Sequence, residues 1–251
     1  MASTEAPIVL PGDIIDTSLI PTSNKKRPLR LGPGLRHVPP DTLQSTVAGE
    51  LITDPKKNTM YIEYNSHRYV PSQNDLVIGQ IHHSSGDLYY VTLNSFAPQA
   101  LLPHLSFESA TKKTRPQLDR GQLIYARVTM ANKHMDPELE CVSQQTGKSE
   151  GLGPLNNGTV FNVSLGLARR LMLPRPREDG GVAVLDMLAE DEGLVFETAV
   201  GRNGKVWVGS ESVRTVVIVG RALAEVDEKG AGFGVDQQKK LVRRLMRDVK
   251  G

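Results

Sequence analysis

Between residues 71 and 150 the chain alternates short β-prone runs with polar turns, and this pattern limits the fold more than any other feature. The runs are Asp75–Ile81, Asp87–Leu93, Ala100–Pro103, Gly121–Thr129 and Leu139–Val142. Five such segments in about 70 residues predict a small closed barrel of the OB type. Closure removes the exposed strand edges that would otherwise pair with other chains.

The flanking stretches have different textures. Residues 1–70 carry turn signals at Pro11-Gly12-Asp13, Gly32-Pro33-Gly34 and Pro39-Pro40, with β-prone runs at Gln44–Ile52 and Thr59–Tyr64, and read as an N-terminal β-domain. Residues 151–251 mix elements: a strand at Gly158–Val163, helices at Leu165–Leu173 and Val182–Ala189, a hairpin from Leu194–Val200 and Lys205–Val208, and a helix at Ser212–Val226. The order β-α-α-β-β-α is that of a KH-like domain. Asp236–Lys250 follows as an amphipathic helix, with Leu241, Leu245 and Val249 in one stripe and basic residues around it. The expected organisation is therefore multi-domain, mainly β and then α+β, with domains at 1–70, 71–150 and 151–251.

Composition narrows the function classes. A net charge of +2 confines any nucleic-acid binding to local basic patches, and an aromatic content of 5% limits base-stacking platforms. One cysteine, Cys141, excludes an intramolecular disulfide framework and fits a reducing compartment. No apolar run approaches the roughly 18 residues of a membrane span, and the first ten residues do not resemble a secretory signal.

The densest basic feature is the loop Ala110-Thr-Lys112-Lys113-Thr-Arg115-Pro116, with three cations within four residues between two barrel strands. Clustered Lys and Arg suit the closely spaced phosphates of single-stranded RNA; a solvated turn is the alternative. Lys25-Lys26-Arg27, with no acidic residue from 21 to 37, reads as an RNA contact, an import signal or a solvated loop. Gly201-Arg202-Asn203-Gly204 looks like the GXXG loop of a KH domain, but a clamp should join the first two helices, at 174–181 here. Gly201, Asn203 and Gly204 instead lie in a hairpin turn, where positive φ accounts for the glycines.

Enzyme signatures are weak. Gly147-Lys148-Ser149 resembles the end of a phosphate-binding loop, yet position 142 is valine. His82 and His83 point to opposite faces of a regular strand, against a metal site. Asp186, Glu190 and Asp191 could share a helix face and hold Mg²⁺, although such trios are usually solvated. No catalytic residue, metal or cofactor is expected.

Taken together, Val9–Asp13, Arg68–Ser72, Asp75–Gly79, Ala110–Pro116, Gly121–Val128 and Gly201–Val208 resemble, in content and order, the S1/KH-type cap subunits of the eukaryotic RNA exosome. The resemblance covers nearly the whole chain. It implies an N-terminal β-domain, a barrel like those of ribosomal protein S1, and a KH domain carrying a G-x-N-G turn. It also implies a non-catalytic role on a ring of RNase-PH-like subunits beside other cap proteins, guiding single-stranded RNA to a separate 3′→5′ exonuclease. Lys112, Lys113 and Arg115 then fall where the family meets RNA. Gly201, Asn203 and Gly204 form the G-x-N-G turn, with an RNA contact or a domain interface as its two readings. The implied setting is the nucleus and nucleolus, and also the cytoplasm, in a hetero-oligomer away from membranes. A free-standing OB/KH factor of RNA processing or translation is the alternative.

Overall fold

A computed structural model of the chain describes residues 7–16, 28–54, 58–64, 68–95, 97–143, 145–173, 181–230 and 233–250. The Lys25–Arg27 cluster and the linker 174–180 lie outside the described residues. The chain divides into two compact units, Met1–Ser66 and His67–Gly251.

The first unit is a small β-domain. Strands β1 (Ile8–Val9), β2 (Arg30–Leu31), β5 (Gly49–Asp54) and β6 (Thr59–Glu63) form a sheet in the order β1-β5-β6-β2, and β3 (Leu35–Val38) pairs with β4 (Thr42–Ser45). Alternation in β6 buries Met60 and Ile62 against Val9, Ile15, Leu43 and Leu51. The run expected as one strand, Gln44–Ile52, is split between β4 and β5. At the break the Ser45 hydroxyl donates to the Val47 carbonyl (2.6 Å) and Thr46 N–H to the Gly34 carbonyl (2.8 Å), so backbone groups leave the ladder already satisfied.

The second unit begins with the barrel. Strands β7 (Leu76–Ser85), β8 (Leu88–Thr92), β9 (Ala100–Pro103), β10 (Leu123–Asn132) and β11 (Met135–Glu140) pair in the order β11-β9-β8-β7-β10, and β10 also pairs with β11, which closes the sheet on itself. The parallel β9–β11 contact, Leu101 opposite Glu138, is the seam. Inward residues Val77, Val91, Leu102, Ile124, Ala126, Val128 and Leu139 are all essentially inaccessible to solvent. A short strand, β12 (Gly153–Leu155), leaves the barrel along β10.

The rest of this unit carries the KH order found in the sequence. Sheet β13-β15-β14 comprises β13 (Gly158–Asn162), β14 (Glu197–Gly201) and β15 (Lys205–Gly209), packed by α1 (Leu165–Leu171), α2 (Val184–Asp186), α3 (Val213–Lys229) and α4 (Val235–Lys250). Despite its β-prone Val-Val-Ile-Val run, α3 is helical because Ser212 caps it and Thr215, Ile218, Val219, Ala222, Leu223 and Val226 recur on one buried face. The helix expected at Val182–Ala189 is instead one α-turn followed by a π-helical turn, Met187–Asp191. Ala183 offers no capping side chain, and its N–H is taken by Gln238 Oε1 of α4 (2.9 Å). Gln238, fully buried, also donates to the Gly181 and Phe233 carbonyls, so Phe233, within the glycine-rich stretch 230–234, is fixed to the core.

Ser164 caps α1, accepting from Leu167 N–H (3.0 Å), and its own N–H and hydroxyl both donate to the Asp227 carboxylate on α3. Ser164→Ala should therefore cost about 1–2 kcal/mol, read by urea denaturation. Among the described residues no helix is long and apolar enough to cross a membrane.

Candidate nucleic-acid interface

The loop joining β9 to β10 presents the basic cluster. Thr111 and Thr114 fold it into a tight turn: the Thr111 carbonyl accepts from the N–H groups of Thr114 (3.1 Å) and Arg115 (2.9 Å), and the two hydroxyls bond at 2.8 Å. Lys112 and Lys113 sit between these anchors, and both are exposed. Neither ammonium has a hydrogen-bond or ion-pair partner among the described residues.

Arg115 behaves differently. Its side chain folds back onto the barrel end, with NH1 2.8 Å from His104 Nδ1 and 3.7 Å from Asp87 Oδ1. His104 is buried, bonds Ser84 Oγ through Nε2 (3.0 Å), and packs its ring on Tyr89 at 4.0 Å. The Tyr89 hydroxyl donates to the Pro116 carbonyl (2.8 Å) and accepts from Leu118 N–H (3.3 Å). The three cations thus divide into two outward lysines and one arginine that ties the loop to β7, β8 and the end of β9.

The second candidate, Gly201–Gly204, turns β14 into β15 against the barrel. Asn203 is 3% exposed and acts on barrel backbone. Its Oδ1 accepts from Ile78 N–H (3.2 Å), while Nδ2 donates to the carbonyls of Ile78 (2.8 Å) and Leu93 (3.0 Å). Gly204 has φ +75°, as a hairpin turn requires. Gly201 does not have a positive φ; its requirement is proximity, since a Cβ there would stand 2.8 Å from Ile78 N. Arg202 N–H donates to the Leu76 carbonyl (2.7 Å), and its Nε lies 3.5 Å from Asp75 Oδ1. Asp75 also accepts from the Tyr69 hydroxyl (2.8 Å), whose ionisation is pushed up by burial and by that carboxylate. Ile78, Ala199 and Trp207 fill the seam, and the Tyr125 hydroxyl donates to the Val200 carbonyl (3.1 Å).

Comparison with known proteins agrees with this architecture. Residues 29–68 match the model of the exosome complex exonuclease Rrp40 N-terminal domain, 69–153 that of the exosome complex component RRP40 S1 domain, and 158–214 a KH domain. The Schizosaccharomyces pombe exosome complex component rrp40 is 37% identical, covering 94% of both chains. This chain belongs to the RRP40 family of exosome complex components. The Saccharomyces cerevisiae RRP40 is 36% identical over 88% of this chain and 89% of its own length. A solved exosome complex RNA-binding protein shares the fold, with TM-score 0.56 at 23% identity, over 73% of this chain and 99% of that one.

Within this RRP40-family chain, sequence reasoning missed Arg202, His104 and the His82–His83 geometry. Arg202 stands at the variable position of G-x-N-G, where no pattern assigns it a partner. His104 is one of six scattered histidines, and its partners come from β7, β8 and the loop that follows β9. His82 and His83 do not point to opposite faces: β7 has a bulge between Ile81 and His83, and their Nδ1 atoms lie 2.8 Å apart.

His104 gives a pH prediction. Burial, and next the Arg115 guanidinium, lower its pKa from 6.5. Below 6.5 the unfolded chain takes up a proton that the folded chain resists, so stability falls as pH drops through that window and is unaffected above it. Melting temperatures between pH 8 and 5 should decline less steeply for His104→Gln than for the parent; equal slopes would contradict the assignment.

Proposed function

We propose that this RRP40-family chain is a non-catalytic cap subunit that guides single-stranded RNA into the exosome channel, leaving 3′→5′ cleavage to another subunit. The observation carrying this reading is the Lys112–Lys113 turn: two exposed ammonium groups, without partners among the described residues, on a loop that Arg115, Thr111 and Thr114 hold in shape. A threaded polyanion meets such a loop with little ordering cost, and its phosphates release counterions on contact. The S1 and KH matches and the relatives' names support an RNA-binding role within that complex.

The chemistry of the site favours binding over bond cleavage. It offers two exposed ammonium groups, while the Tyr89 hydroxyl and the His104 imidazole behind them are already engaged with Pro116, Leu118, Ser84 and Arg115. The Cys141 thiol is buried and pushed up to about 12, away from nucleophilic use at neutral pH. On this reading the partners are RNase-PH-like ring subunits and the other cap proteins, and the chain works in the nucleus, the nucleolus and the cytoplasm. The buried free thiol fits such reducing compartments.

Native mass spectrometry of the complex purified through this chain, with a ribonuclease assay on the chain alone, tests the proposal. A hetero-oligomer and no turnover are expected. A lone RNA-binding monomer would favour the free-standing factor, and metal-dependent RNA digestion lost in Asp186→Asn would favour a nuclease.

A further inference from the structure

The β7 bulge has produced a surface that the basic loop does not explain. Ile81 pairs with Val91 and His83 with Tyr90, so β7 advances two residues while β8 advances one, and His82 is the extra residue. Both histidines are left exposed, and the His83 ring lies on Tyr90 with centroids 4.3 Å apart and planes 7° from parallel. His82 meets His83 at 78° and 5.1 Å through the Nδ1–Nδ1 contact. A ring nitrogen bonds in the plane of its ring, so His82 holds His83 by the edge. The face of His83 away from Tyr90 stays open.

We propose that the outer face of His83, backed by Tyr90 and braced by His82, is a stacking platform for one unpaired nucleobase of the RNA strand that Lys112 and Lys113 hold by its phosphates. The proposal rests on the RNA-guiding reading and adds a base-contacting subsite to it. Three features support a nucleobase. The rings are parallel, so a third π-system extends an existing column. The platform is fixed at its edge and back, so little freedom is lost on binding. It also stands on the strand pair that anchors the basic loop: Ser84 and Tyr89, the next pair along the ladder and on its other face, meet His104, which bonds Arg115 (2.8 Å). In a chain with 5% aromatic residues, an exposed parallel pair is well suited to a single strand, whose bases all present a π-face.

The test compares two ligands of equal length and charge, oligoadenylate and an abasic ribose-phosphate strand, binding to the full-length chain by fluorescence anisotropy. His83→Ala is expected to weaken oligoadenylate about tenfold and leave the abasic strand unchanged, while His83→Phe restores the oligoadenylate affinity. Lys112→Ala with Lys113→Ala should weaken both strands alike. The platform is overturned, with the basic loop standing, if His83→Ala binds oligoadenylate like the parent, or if His83→Ala and His83→Phe weaken both strands equally. If the parent binds neither strand, the RNA-guiding reading falls and the platform with it.

Discussion

Asn203→Ala is expected to lower the unfolding free energy of the S1–KH unit by about 4 kcal/mol, the largest effect of any single change considered. The side chain satisfies one N–H and two carbonyls of the barrel backbone, at Ile78 and Leu93, in a seam where Ile78 is fully buried. Alanine leaves all three without partners, at about 1–3 kcal/mol each before relaxation. Asn203→Asp should be no better. Its carboxylate still accepts from Ile78 N–H but faces two carbonyl oxygens that need a donor. Urea denaturation of the full chain measures both variants. A loss below about 1 kcal/mol would mean that water replaces the amide.

Lys112→Ala with Lys113→Ala should flatten the salt dependence of RNA binding by about 1.4 units of log Kd per log salt, since each single-strand phosphate contact contributes about 0.7. At 0.1 M salt the same term weakens binding roughly 25-fold. Arg115 separates the structural account from the sequence pattern. Three equivalent cations would predict a slope change of about two for the triple variant. With Arg115 turned onto His104 and Asp87, its removal should leave the slope of the double variant nearly unchanged and instead lower the melting temperature of the barrel. A triple variant that loses a further 0.7 units would return Arg115 to the RNA-facing set.

The parts of the fold legible in the sequence are those fixed by local rules. Strand β9 falls on Ala100–Pro103 and β15 on Lys205–Gly209 because alternation and a glycine turn specify them. Helix α3 survives its β-branched run because a serine cap and a 3.6-residue period agree. The π-helical turn at Met187–Asp191 was not legible, since no local spacing or capping rule separates it from an α-helix. Nor was the use of Asn203, whose barrel partner Ile78 is 125 positions away. For the basic loop, sequence gives the charges but not their directions: Arg115 turns inward where the pairing of β8 with β9 brings His104 and Asp87 to the same end. The His82–His83 contact was hidden for a related reason, because a bulge breaks the two-residue period on which face assignment relies.

Cross-linking of 4-thiouridine-labelled RNA to the native complex purified through this chain, with adducts mapped by mass spectrometry, tests most directly whether the barrel loop meets the strand. Adducts within residues 110–116, lost when Lys112 and Lys113 are replaced by alanine while the complex stays intact, are the predicted result. RNA engaged and degraded by the complex with no adduct on this barrel would contradict the account.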